Sequence, residues 1–420
     1  VTRVAVVVDP YSSGNLFAPA FRAAGLRPVA VTSAAAPAAV YAASYRPGDF
    51  DLVLNGEGGL DGVVGAVRGL DPVCVLPGTE SGVELADQLA AAVTPGQANV
   101  PALAAARRHK AAMSRAVAAA GLPTIRQICT ASAAEVAGWL DRSGLAGRDL
   151  VVKPPKSAGS DGVCYVPAGA DWRPAFAALL GERNKLDLVN DQVLVQEYVT
   201  GTEYVVDTFS HDGRHTVVDI CQYRKIHNAG QMAVYDSMRW LPHAPAEHGE
   251  LLAYTTAVLD AIGVRFGAAH SEVMMTADGP RLLETGVRPH GGGHPLFCRV
   301  ATGDSQVDRT VRYCTGATDL PRGFELRRHT MVVFLLSERT GTARNVEVYD
   351  RLRDLASYHT GSIAVRNGDL VRATTDLFSS LALGFVVLAH EDADQLDADY
   401  RQVRRIEAGL VVEPALLAQA

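Results

Sequence analysis

Residues 3–9 form a continuous apolar run that stops at Asp9-Pro10, and the alternation it opens limits the fold more than any other part of the chain. A Val-rich run without polar alternation is buried on both faces, as strands of parallel sheets are. An Ala/Phe/Leu helix to Gly25 comes next, then strands at Pro28–Thr32 and Asp51–Asn55, and a helix from Asp61. A strand at Val73–Leu76 and a helix from Ser81 to Val93 complete the series. Strands alternating with helices predict a small doubly wound α/β sheet over roughly the first 95 residues. Thr94-Pro95-Gly96-Gln97 is a breaker cluster and the expected boundary.

The pattern then changes. A helix is expected at 102–120, a stop at Gly121-Leu122-Pro123, a short strand near Thr124–Ile128 and a helix at about Ala133–Gly144. From Leu150 to Gly286 hairpins dominate: 150–154 with 162–166, 193–199, 203–209 with 215–222, and 269–275 with 281–285. One helix, about 248–262, interrupts them. After Pro321-Arg322-Gly323 an α+β segment is expected, with strands near 330–336, 362–366 and 384–389 and a helix near 393–408. The predicted division is therefore 1–97, 98–320 with a smaller subdomain at about 124–199, and 321–420.

Composition narrows the function. With 39 basic and 46 acidic residues the net charge is −7, which gives no support to a nucleic-acid surface. No apolar run approaches the roughly 20 residues of a membrane helix, and Val1–Pro10 is too short for a secretory signal. Six cysteines lie at 74, 129, 164, 221, 298 and 314 with no CxxC pair, so free thiols are expected in a cytoplasmic protein. Lysine is scarce: Lys110, Lys153, Lys156, Lys185 and Lys225 stand against 34 arginines. Each retained lysine is a candidate for work that needs a compact ammonium, although Lys185, amid polar residues, reads as surface.

The segment from His270 to Glu284 carries the strongest local signal. A three-residue loop Ala277-Asp278-Gly279 would pair Thr276 with Pro280, so that Met274 faces Leu282 and Glu272 faces Glu284. Two carboxylates opposite each other on one face repel unless a cation lies between them. All-oxygen ligation of that kind suits Mg²⁺ or Mn²⁺, with phosphates completing the shell. Beyond it, Thr285 to Pro295 adds Arg288, His290, His294 and four glycines: the arginine can clamp a phosphate or carboxylate, and the histidines are open between substrate contact and loop filling. Upstream, Lys153 precedes the turn Pro154 to Gly162, whose small residues leave backbone N–H groups free for anionic oxygens. No GxxxxGK[ST] loop occurs, and Gly56-Glu57-Gly58-Gly59 is not GxGxxG.

Lys110 on a helix, Lys153 before a Ser/Gly flap, Gln196-Glu197-Tyr198-Val199, Gly201-Thr202-Glu203 and Glu272…Glu284…Arg288 occur in that order. The series resembles the ATP-grasp superfamily of carboxylate–amine ligases over nearly the whole chain, and is most similar to bacterial L-amino-acid ligases that make dipeptides. The resemblance implies an N-terminal α/β domain, a nucleotide-binding core with a lid, and a C-terminal α+β lobe. It implies that Lys110 and Lys153 hold ATP phosphates under a lid containing Ser157, Gly159, Ser160 and Gly162. Glu197 and the Val199 backbone would meet adenine, Glu203 the ribose, and Glu272 and Glu284 two Mg²⁺ ions, with Mn²⁺ as a substitute. Arg288 would hold the substrate carboxylate or stabilise the acyl-phosphate, with His290, Gly291, Gly292 and His294 lining the substrate pocket. Lys225 is open between a phosphate contact and a surface position. Many members carry Asn two residues after the second Glu as a further metal ligand; Gly286 stands here.

The implied activity is ATP-dependent amide formation between two amino acids through an acyl-phosphate. The alternatives are a ligase using a side-chain or non-amino-acid carboxylate, and a nucleotide-binding protein without catalysis. Small-molecule substrates and a homodimer are the implied partners, with neither nucleic acid nor membrane.

Overall fold

A computed structural model describes residues 3–414. The first sheet is four-stranded and parallel, in the spatial order Leu52–Asn55, Arg27–Thr32, Val4–Val8, Pro72–Pro77. Val4–Val8 is buried at every position, as its unbroken apolar run requires. The helices Phe17–Ala23 on one face and Gly59–Gly69 and Val83–Val93 on the other enclose it. The doubly wound reading of the N-terminal segment therefore holds.

The expected helix at 102–120 is two elements. A 3₁₀ segment Pro101–Arg107 gives way at Arg108-His109 to the helix Lys110–Ala119, and His109 Nδ1 accepts from the Ala111 and Ala112 amides at 3.2 and 3.4 Å. That break puts Lys110 in a first helical turn rather than mid-helix.

An antiparallel four-stranded sheet comes after it, ordered Gln127–Thr130, Val193–Glu197, Leu150–Lys153, Cys164–Val166. The helices Ala133–Ser143 and Arg173–Leu179 pack on it around Val136, Leu140, Trp172 and Phe176. The largest sheet has eight strands, all antiparallel: Gly279–Gly286, Gly267–Thr276, Thr202–His211, Arg214–Asn228, Gln231–Leu241, His329–Phe334, Gly384–His390 and Tyr358–Ile363. Gln231–Leu241 was not anticipated from the sequence; it joins the hairpin strands to the C-terminal ones through pairs such as Ser237 with Val333. One sheet thus runs across residue 320. Helix Pro245–Ala261 backs it on one side, where Leu251, Val258 and Ile262 pack on Val206, Ile220 and Val273. Among the described residues no helix is long and apolar enough to cross a membrane.

Candidate active site

The hairpin register brings the paired carboxylates together by a different route from the expected one. The link is two residues, Ala277-Asp278, so Thr276 pairs with Gly279, Met274 with Arg281 and Val273 with Leu282. Carried on unchanged, that ladder would set Glu272 against Leu283. A bulge between Val273 and Glu272 leaves Leu283 unpaired and restores Glu272 opposite Glu284. Lys110 Nζ lies 3.0 Å from Glu284 Oε1 and donates to the Ser157 carbonyl at 2.8 Å. Lys225 Nζ lies 2.5 Å from Glu203 Oε1 and 3.7 Å from Glu272 Oε2, between the rings of Tyr223 and Tyr235. Lysine cations thus offset the carboxylate repulsion, and the all-oxygen donor pair fits a hard divalent cation.

A cavity of 130 Å³ is lined by Lys110, Lys153, Ser157, Gly159, Ser160, Val199, Glu203, Lys225, Glu272 and Glu284. It continues past Tyr198, Val199, Glu203 and Lys225 into a wider space of 520 Å³. Two of the expected nucleotide residues lie elsewhere. Glu197 turns its carboxylate to Arg126, accepting from Nε at 2.7 Å and from the backbone amide at 3.0 Å, and Gly162 packs against Pro154 and Leu179. Lys225 is only slightly exposed and faces the carboxylates, so its surface reading does not stand.

Electrostatics in this cavity are set by burial. Burial and the neighbouring Lys110 push the Lys153 ammonium down to about 8, against the pull of Glu284 and Glu272. Burial likewise raises Glu203 to about 7, with Glu272 adding to the shift and Lys225 opposing it. An anion entering between Lys110 and Lys153 relieves their mutual repulsion, so the site is built to receive negative charge.

Arg288 occupies a second cavity, of 530 Å³, which shares Ala158, Gly159, Tyr235 and Glu272 with the first. Its polar end holds Arg288, Ser12, Tyr41 and Thr79; its walls are apolar, including Phe297, Val332, Phe334, Leu377, Phe378 and Phe385. Arg288 is fixed from the N-terminal domain: Nε donates to Glu80 Oε2 at 3.0 Å, while Arg108 Nη1 donates to Glu80 Oε1 at 3.1 Å. Glu80 is 2 % exposed, and these two guanidiniums and Lys110 hold its carboxyl below the usual range despite the burial. Here lies the reason for Gly286. A Cβ at that position would stand 3.0 Å from Glu80 Oε2 and 3.2 Å from the Arg288 guanidinium, so any larger side chain would press on that ion pair.

The glycine run is tied down rather than free: Gly292 N donates to Ser12 Oγ and Gly293 N to Ser13 Oγ, each at 3.0 Å, and Gly291 lines the cavity beside them. His290 and His294 also border this cavity and are nearly buried, on the carboxylate of Asp207. From the C-terminal segment, Leu377 N donates to the Gly159 carbonyl at 3.2 Å. Lys185 pairs with Asp376, lies 5.3 Å from the Phe378 ring and donates from its backbone amide to Asp161 Oδ2 at 2.9 Å, so it ties the flap to the C-terminal segment and is not bare surface.

Glu80, Arg108, Asp207 and His270 were missed from the sequence. Glu80 had one signal, since it lies just past the carboxyl end of the parallel strand Pro72–Pro77, where α/β sheets place ligands. His270 had another: two residues from Glu272 on a strand, it shares that residue's face.

Residues 147–294 match a family model described as an ATP-grasp domain. The chain is 28 % identical over 413 residues to dapdiamide A synthase of Enterobacter agglomerans, covering 97 % of this chain and 96 % of that protein. Among solved structures it is similar to an L-amino acid ligase from Bacillus licheniformis, with TM-score 0.72, 15 % identity and 98 % of each chain covered. It is also similar to carboxyaminoimidazole ribonucleotide synthase from Aspergillus clavatus complexed with ATP, with TM-score 0.69, 13 % identity, and 97 % and 98 % of the two chains covered.

Proposed function

The chain carries an ATP-grasp domain within the ATP-grasp fold, and from that premise we propose that it joins the carboxylate of one amino acid to the amine of another at the expense of ATP. One observation carries the reading. The lysine- and glutamate-lined cavity and the Arg288 cavity meet at Glu272, Ala158, Gly159 and Tyr235, so an anionic phosphate chain and a carboxylic acid can face each other across Glu272.

In the first step a carboxylate oxygen attacks the γ-phosphorus of ATP, the bond to the β-phosphate bridging oxygen breaks, and ADP leaves. The product is an acyl-phosphate. In the second step the amine nitrogen attacks the acyl carbon, the carbon–oxygen bond to phosphate breaks, and the nitrogen gives up a proton. Lys110 and Lys153 hold the phosphates in the electrostatic role such transfers require. Glu203 is suited to the ribose hydroxyls. The backbone at Tyr198 and Val199 is suited to the base, with Glu197 acting on Arg126 and so on the shape of that strand end. Arg288, oriented by Glu80, receives the substrate carboxylate or the oxyanion formed from it. Glu272 and Glu284 would hold Mg²⁺, which supplies charge neutralisation on the phosphoryl oxygens. The flap 157–163, latched by Leu377 directly and by Asp376 through Lys185, excludes the water that would hydrolyse the intermediate.

A relative supports the choice of substrates: one solved structure of the same fold is named an L-amino acid ligase. The test is ADP release with Mg²⁺-ATP and pooled amino acids, followed by mass spectrometry. A new mass equal to two amino acids less water is expected. ADP release without any condensed product, across a panel including dicarboxylic and non-amino acids, would overturn the amine-acceptor half of the reading.

A further inference from the structure

Beneath the Arg288 cavity lies a buried polar group that neither reaction step uses. Asp207 and Asp219 both have fully buried carboxylates. Asp207 receives three imidazoles: His270 Nδ1 on Oδ1 at 2.9 Å, and His290 Nδ1 and His294 Nε2 on Oδ2 at 2.9 and 3.1 Å. His294 Nε2 also lies 3.2 Å from Asp219, which accepts from Cys298 Sγ at 3.1 Å. The rings of His290 and His294 stack at 3.7 Å, and Trp240 covers His294 at 4.7 Å. Burying two carboxylates costs several kcal/mol each before partners compensate, and apolar residues would fill the volume at least as stably. A network of this cost has a use beyond filling space where it ends on a working group.

It ends on one. The far nitrogen of His270, Nε2, lies 3.3 Å from Glu272 Oε1. His270 lies within hydrogen-bond reach of both carboxylates at once, Nδ1 on Asp207 and Nε2 on Glu272, and with an N–H on each ring nitrogen it bridges them. Asp207 in turn is held by two further rings and cannot rotate away. The bond fixes one Glu272 oxygen and leaves Oε2, 3.7 Å from Lys225, as the outward one.

We infer that Asp207 and His270 are positioning residues for Glu272, setting the carboxylate in the one orientation in which its outer oxygen faces the metal–nucleotide. The inference rests on the reading of Glu272 as a metal-binding carboxylate. Outer partners of this kind typically change metal affinity by 10–100-fold.

The experiment is a Mn²⁺ titration followed by electron paramagnetic resonance, on full-length protein saturated with a non-hydrolysable ATP analogue. His270→Ala is expected to raise the Mn²⁺ dissociation constant about tenfold or more, and Asp207→Asn to move it in the same direction. His270→Gln, whose amide can donate to Glu272, is expected to recover most of the loss, which a role in folding alone would not produce. Should His270→Ala fail to fold, Asp207→Asn carries the test. Unchanged Mn²⁺ affinity in variants that melt cooperatively would overturn the inference. So would stoichiometric zinc in the wild-type protein that His290→Ala removes, because the imidazoles would then be ligands rather than donors. Glu272→Gln separates the two levels. If it binds Mn²⁺ as the wild type does, the metal reading itself falls; if it binds weakly and His270→Ala binds normally, the positioning role alone falls.

Discussion

The two cavities that meet at Glu272 are built in opposite ways. The nucleotide side draws on Lys153, Glu203, Glu272 and Glu284, all carried by hairpin strands or their ends within one stretch of chain, with Lys110 added from a helix. The Arg288 side is assembled from segments more than 300 residues apart, Ser12 and Tyr41 at one extreme and Phe378 and Phe385 at the other. On the nucleotide side strand register fixes the spacing of the three glutamates. Remote construction leaves the shape of the pocket to tertiary packing, and so lets substrate walls differ while the phosphate chemistry stays in place.

Perturbing each side tests that contrast. The largest expected effect is on the shared chemistry: Glu284→Gln and Arg288→Ala should each lower turnover by at least about 100-fold with the melting transition retained. Wild-type ADP release in either variant would break the site assignment. Gly286→Asn comes next, because it intrudes on the Glu80–Arg288 pair from the nucleotide side. Overpacking there should cost about 1–3 kcal/mol and reduce kcat/KM at least about tenfold; wild-type kinetics would mean that the two sides do not pack against each other at this glycine.

Lys153→Met isolates the phosphate side. The folded pKa of Lys153 lies at about 8, below its ordinary 10.5, so the fold disfavours the charged form. The unfolded chain then binds more protons between pH 8 and 10.5, and stability rises with pH through that window. Removing the buried ammonium should therefore stabilise the ligand-free protein below pH 8 by about 1–3 kcal/mol while abolishing the thermal shift produced by ATP. A destabilised variant at pH 7, or an intact ATP shift, would count against it. The smallest effect belongs to the remote side's latch. Lys185 is more than a third exposed, so Lys185→Ala should change stability by less than about 1 kcal/mol and register mainly as faster proteolysis within the flap 157–163.

How much was legible in the sequence divides along the same line. The apolar run 3–9, the turn signals of the hairpins and the spacing of Glu272 to Glu284 are short-range features, and each led to the right element. The pairing of the glutamates was reached through a wrong loop length, because a bulge at Leu283 compensates for a turn one residue shorter; pattern alone does not reveal bulges. The pairings of Glu80 and Asp207 were not legible for a different reason. Their partners, Arg288 at a separation of 208 residues and His290 at 83, are brought to them by packing that no local period encodes. Glu197 illustrates the reverse case: its strand was foreseen, but the direction of its carboxylate depends on Arg126 across a neighbouring strand.

The eight-stranded sheet has a consequence for how this protein can be divided. Because Gln231–Leu241 pairs with His329–Phe334 at Ser237, Met238 and Arg239, a chain ending near residue 320 would leave that strand as the sheet edge, uncovered where the C-terminal lobe now sits. An exposed edge invites pairing with other chains. The lobe is therefore not a detachable appendage: taking it away uncovers that edge, and anything put in its place has to supply a strand in the register that His329–Phe334 now holds.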